Sequence, residues 1–243
     1  MYGCPFEVTG DFYCYKNQLI SLKGAPLEIL NFDCSHNSLT SLEGSPKIVK
    51  EMFRCSNNKL ISLKNGPSEV GGTYSCSNNS LDSLKGLPLG EYRLEARNNN
   101  LKNLIGCPKI MKYINIKGNR ITSLLGAPEI INGDMYLFKN NIKSLKYLPK
   151  QVFGVIDLRN NPLEEIKLEY IPTQLEEIAI TLNDLKVKSI LEYFGYESLD
   201  KKSENNRIIS LDILEKIIKS DIIKGVLEKE LPQIKSANKR LKV

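Results

Sequence analysis

An asparagine recurs along this chain at Asn17, Asn37, Asn58, Asn79, Asn99, Asn119, Asn140, Asn161 and Asn183, in steps of 20 to 22 residues. A tandem period of this length demands copies of one short unit stacked on each other, because a unit of about 20 residues cannot bury its apolar side alone. Three further positions repeat with it. Five residues before the Asn stand Phe12, Phe32, Phe53, Tyr74, Leu94, Ile114, Met135, Ile156 and Ile178. Three before it stand Cys14, Cys34, Cys55, Cys76, Ala96, Ile116, Leu137, Leu158 and Ile180. Two after it stand Leu19, Leu39, Leu60, Leu81, Leu101, Ile121, Ile142, Leu163 and Leu185. All of these are apolar or Cys, which requires a common buried column at each position.

The first two columns alternate with variable residues, the period-two signature of a short strand. A bend must follow, and a side-chain amide suits it, since it can bond backbone groups that the turning chain leaves unpaired. Next comes Leu-x-x-Leu, then Gly at plus seven (Gly24, Gly44, Gly86, Gly106, Gly126) and Pro at plus nine (Pro26, Pro46, Pro67, Pro88, Pro108, Pro128, Pro149). Gly and Pro there exclude a regular helix on the return path. An extended or turn-rich return is expected instead.

The pattern L-x-L-x-x-N-x-L at this period resembles the leucine-rich-repeat family over roughly residues 3–185. The variant Cys-Ser-x-Asn-x-Leu-x-Ser-Leu-x-Gly-x-Pro is similar to repeats of uncharacterised bacteriophage and bacterial proteins. The resemblance implies a leucine-rich-repeat solenoid with a concave parallel β-sheet; with the mostly non-helical convex side read from Gly and Pro and a C-terminal helical cap read from the residues after Leu185, the expected fold class is α/β. The resemblance also implies that the concave face binds a partner. The closer likeness implies a phage or bacterial factor that binds and inhibits or recruits a host protein.

Two units are expected, a solenoid over residues 1–185 and a helical C-terminal cap with a basic tail over 186–243. Ser210 is suited to cap a helix whose apolar stripe is Leu211, Leu214, Ile217, Ile218, Ile222 and Ile223. A shorter helix is expected around Ser189–Phe194, and an exposed linker over Glu197–Arg207. The tail residues Lys235, Lys239, Arg240 and Lys242 read either as a solvated end or as a contact for nucleic acid or an acidic partner. Gly3-Cys4-Pro5 matches Gly106-Cys107-Pro108, so the chain opens in mid-repeat. Fraying there, or coverage by a partner or second copy, is expected. Open solenoid ends also expose strand edges through which copies of the chain can self-associate.

Several functions find no support in the residues. The net charge of +6 is mild for 243 residues, and a nucleic-acid-binding domain usually clusters its basic residues. No apolar run reaches membrane-spanning length and no signal peptide is visible, so cytoplasmic residence is the default, in the host cytoplasm if the protein is viral. The six Cys form no CxxC pair, and the single His, His36, stands at a variable turn position. Buried, reduced thiols are expected, with no metal and no cofactor. No phosphate-cradling loop, nucleophile elbow or convergent acid and base appears, so no catalytic residues and no enzyme activity are expected.

Residues at minus six, minus four and minus two should point away from the core. In the fifth to eighth repeats these positions bring Arg93, Arg97, Tyr113, Lys117, Tyr136, Phe138 and Arg159 onto one surface. Aromatic and Arg side chains are enriched where proteins grip one another, and an exposed Phe138 needs something to meet. A protein partner on this patch is therefore the leading expectation. The alternative is a nucleic acid held by Arg and Tyr here and by the basic tail. The Ser run Ser35, Ser56, Ser75 and Ser77 reads as a closely packed inner surface.

Overall fold

The computed structural model describes residues 8–164, 168–175, 177–180 and 207–209. They form a parallel-strand solenoid in which each repeat is one coil. The strands in chain order are β1 (Phe12–Tyr13), β2 (Glu28–Asp33), β3 (Ile48–Arg54), β4 (Glu69–Val70), β5 (Thr73–Ser75), β6 (Arg93–Glu95) and β7 (Ile110–Met111). They continue with β8 (Tyr113–Asn115), β9 (Ile130–Ile131), β10 (Met135–Tyr136), β11 (Gln151–Val152), β12 (Val155–Asp157), β13 (Glu177–Ile180) and β14 (Arg207–Ile209). One eleven-stranded sheet runs β1-β2-β3-β5-β6-β8-β10-β12-β13-β14, with β4 paired to β3. A second sheet, β11-β9-β7, lies on the return path. Pairing is parallel throughout, save for β14 on β13.

The register follows the repeat. Phe12, Phe32, Phe53, Tyr74, Leu94, Ile114, Met135, Ile156 and Ile178 are direct partners from strand to strand. From Phe32 to Ile178 they are fully buried, as are Cys34 to Leu158 in the second column and Leu39 to Ile142 in the third. At the first coil the packing loosens: Phe12 and Leu19 are only half-buried. Like rings stack where they meet, with Phe12–Phe32 and Phe32–Phe53 centroids 5.8 and 5.9 Å apart.

The return path is extended, as its Gly and Pro require. Each coil closes with a tight turn, as where the Ala25 amide donates to Leu22 O and Ser45 to Leu42 O. Gly24, Gly44, Gly86, Gly106 and Gly126 hold φ between 85° and 102° in these turns, a region that disfavours any Cβ. A Cβ on Gly106 would also lie 2.5 Å from Lys85 N of the preceding coil. Three residues after most of the prolines, a fourth buried column emerges: Ile29, Val49, Val70, Met111, Ile131 and Val152. Among the described residues the only helical segment is the short 3-10 turn Leu168–Tyr170, and no helix is long and apolar enough to cross a membrane. The helical cap expected over 186–243 lies outside the described residues, apart from Arg207–Ile209, which pair as an antiparallel strand. Asn183, Leu185, the basic tail and residues 1–7 also lie outside them.

The anchor asparagines bind coil to coil. Asn119 Nδ2 donates to Ile116 O of its own coil (2.8 Å) and to Ala96 O of the preceding one (3.0 Å). Its Oδ1 accepts the Leu101 amide of that preceding coil (3.1 Å). Asn37, Asn58, Asn79, Asn99, Asn140 and Asn161 repeat the same three contacts. The residue before each anchor carries the bend itself. Lys16, His36, Asn57, Asn78, Asn98, Lys139 and Asn160 hold φ of 52–55°, and Asn tolerates this region better than most residues. That is the physical reason for the Asn pairs. Asn98 donates to Asn78 and Asn78 to Asn57 in an exposed amide row that ends beside His36 Nε2.

Candidate functional site

The exposed face of the long sheet carries the residues singled out at minus six, minus four and minus two. Four neighbouring strands, β6, β8, β10 and β12, bring Arg93, Arg97, Tyr113, Lys117, Tyr136, Phe138 and Arg159 together through in-register pairs such as Arg93↔Tyr113 and Tyr136↔Asp157. The side chains interlock. Arg93 Cζ lies 4.0 Å from the centre of the Tyr113 ring. Tyr113 and Tyr136 pack at 5.6 Å with a 51° tilt. Lys117 Nζ sits 4.6 Å from the Phe138 centroid, and Arg159 Cζ 5.7 Å from it. Phe138 is thus half-buried and already meets two cations of its own chain, which corrects the expectation of an exposed ring.

Two of the four cations are also neutralised locally. Arg159 forks onto Asp157 through Nε (2.9 Å) and Nη2 (2.7 Å), a bidentate pair that holds its guanidinium above the usual range. Arg97 Nε lies 3.2 Å from Glu95 Oε2. That oxygen is buried and lacks the alignment for a hydrogen bond, so the contact is an ion pair and no more. Burial, then the charge of Glu95, raises the Tyr113 phenol. Burial, then Asp134, raises that of Tyr136. Both phenols stay neutral hydrogen-bond donors at any physiological pH. Arg93 and Lys117 make no ion pair among the described residues.

The rest of the face is quieter. Ser35, Ser56 and Ser77 are buried, and Ser56 and Ser75 share a hydrogen bond (2.8 Å), as a closely packed inner surface requires. Cys34, Cys55 and Cys76 are fully buried and form no disulfide. Burial pushes their thiols up, that of Cys76 to about 12, which leaves too little thiolate for nucleophilic chemistry. Among the described residues no group of three or more His, Cys, Asp or Glu is arranged to hold a metal ion.

One feature of the surface escaped the column-by-column reading. Residues 8–92 hold eight basic and eight acidic side chains, whereas residues 93–164 hold twelve basic and five acidic, a local charge of +7. Four of those five carboxylates are engaged by cations of the same region: Glu95, Glu129, Asp157 and Glu164. Charge counted coil by coil would have revealed this excess, and with it Lys102, Arg120 and Lys139, exposed where the chain bends away from the sheet. Compared with known proteins, the chain matches no family model, no curated protein and no solved structure.

Proposed function

We propose that this chain is a leucine-rich-repeat type of solenoid that works without catalysis, holding a protein partner on the exposed face of its long sheet. The observation that carries this reading is the ordered contact from Arg93 over Tyr113 and Tyr136, with Phe138 beside them under Lys117 and Arg159. Rings and guanidinium groups are the side chains that contribute most to protein interfaces. Here they are held in place by one another on a rigid sheet, so little side-chain freedom is left to lose on docking. A concave curvature of this face, a C-terminal helical cap and a role as a phage or bacterial factor acting on a host protein belong to the same proposal.

The excess of cations over residues 93–164 favours a nucleic acid as the second reading. Base stacking needs open ring faces, and cations of the chain already lie over Tyr113 and Phe138. The protein reading is therefore preferred. Its test is affinity capture from the native cell with the wild-type chain against Arg97→Glu plus Tyr136→Ala. Loss of a defined protein with the double variant is expected, once unchanged melting has shown that it folds. Equal recovery of the same proteins by both would remove the patch.

A further inference from the structure

The positive charge is concentrated more finely than the strand patch alone accounts for. Lys102, Lys117, Arg120 and Lys139 occupy three consecutive coils, between two residues before and three residues after the anchor Asn, where the chain bends away from the strands. All four are exposed, and none makes an ion pair among the described residues. Adjacent parallel strands are about 4.8 Å apart, so the four cations arise from a band only two coil spacings wide. Asp82, exposed three residues after its anchor as Lys102 is, adjoins one end of the band, and Glu164 beyond the other end is held by Lys143. Glu95 and Asp157 point from the middle row of the sheet and are held by Arg97 and Arg159, while Glu129 on the return path is held by Lys109 and Lys150. Phe138, half-buried with Lys117 Nζ 4.6 Å from its ring centre, precedes Lys139 at the border of the band.

Four like charges without an ion-pair partner among the described residues, carried on three adjacent coils, repel one another, and an arriving anion relieves that repulsion. On this basis we propose that the band formed by Lys102, Lys117, Arg120 and Lys139, with Phe138 at its border, docks an acidic polypeptide segment. The inference rests on the protein-binding reading and names the chemistry of the partner. An extended acidic segment laid across the coils meets one or more cations at each coil, and an apolar side chain of that segment settles against Phe138. A single-stranded nucleic acid would find the same cations, but stacking needs open ring faces, and cations of the chain already lie over those of Tyr113 and Phe138.

The experiment compares two fluorescein-labelled probes by anisotropy on the full chain: an Asp-rich peptide carrying one Phe, and an oligothymidylate of equal chain length. Each is titrated against wild type, against the strip variant Lys102→Glu, Arg120→Glu, Lys139→Asn, and against Tyr136→Ala. Asn stands at the Lys139 position in other coils and suits its positive φ. The strip variant leaves every side chain of the strand patch in place. Expected are tighter binding of the peptide than of the oligonucleotide, a loss of at least about tenfold in the strip variant, and a further fall as salt is raised. No peptide binding, peptide binding unchanged by the strip variant, or tighter binding of the oligonucleotide would overturn the proposal, the last in favour of nucleic acid. Loss with the strip variant but none with Tyr136→Ala would keep the strip and remove the strand patch. The reverse would remove the strip and leave the patch standing.

Discussion

Replacing Asn119 by Ala tests what ties one coil to the next. The side chain is 7% exposed and makes three bonds, to Ile116 O, Ala96 O and from Leu101 N–H. The losses are unequal. Ile116 O keeps a bond from Asn140, and Ala96 O keeps one from Asn99. Each of those two lost bonds therefore costs about 0.5–1 kcal/mol. The Leu101 amide loses its partner inside the fold, and an orphaned buried donor costs about 1–3 kcal/mol. The sum is about 2–5 kcal/mol. Asn17, at the first coil, is exposed and bonds only to the carbonyls of its own coil, Cys14 and Tyr15, so Asn17→Ala should cost about 1 kcal/mol or less. Urea unfolding followed by circular dichroism measures both. Amide exchange at Leu101 localises the effect, because stacked repeats can open coil by coil rather than in one step. If Asn119→Ala lost no more stability than Asn17→Ala, and Leu101 stayed protected, the asparagines would not be what joins the coils.

Other perturbations follow from single sites. Gly106→Ala should destabilise by about 2 kcal/mol or more, since φ is 99° and the new Cβ would meet the Lys85 and Leu84 backbone; Gly10→Ala, with open space around it, should melt like wild type. The Tyr74 hydroxyl is buried without a hydrogen-bond partner, so Tyr74→Phe should leave Tm unchanged or raise it by a few degrees, whereas Tyr92→Phe forfeits a bond to Pro88 O (2.9 Å) and should lower it. Cys34, Cys55 and Cys76 should resist a thiol reagent at neutral pH until denaturant is added, because burial suppresses both access and thiolate; rapid labelling of the folded chain would show the column to be open.

The sequence made the coil legible because steric demand leaves so few choices at its inward positions. Phe32, Cys34 and Leu39 have counterparts in every coil, and period-two alternation was enough to separate the buried faces from the exposed ones. The Ile29–Val152 column was harder to see. Its distance from the following Asn changes with repeat length, and only its spacing from the preceding Pro is nearly constant. The anchor Asn was readable as a turn residue, but its bonds to the neighbouring coil depend on stacking, which a linear pattern does not encode. The strand patch was found by position, and its members do meet. What the pattern could not supply was their mutual contact: Phe138 was expected to stand exposed, yet Lys117 and Arg159 fold over it. Lys102, Arg120 and Lys139 sit at three different offsets from their anchors, so a reading by columns passed over them, although the coils bring them together.

Disulfide trapping across two strands tests the stacking on which all of this depends. Thr73 and Arg93 are direct partners in neighbouring coils, whereas Glu95 pairs with Ser75, two residues further on. Cα atoms of paired parallel strands lie about 4.8 Å apart, within the reach of a disulfide. Under mild oxidation Thr73→Cys with Arg93→Cys should therefore close quickly, and Thr73→Cys with Glu95→Cys should not. Equal yields from the two pairs, or closure only of the offset one, would contradict the register and with it every contact described on the sheet face.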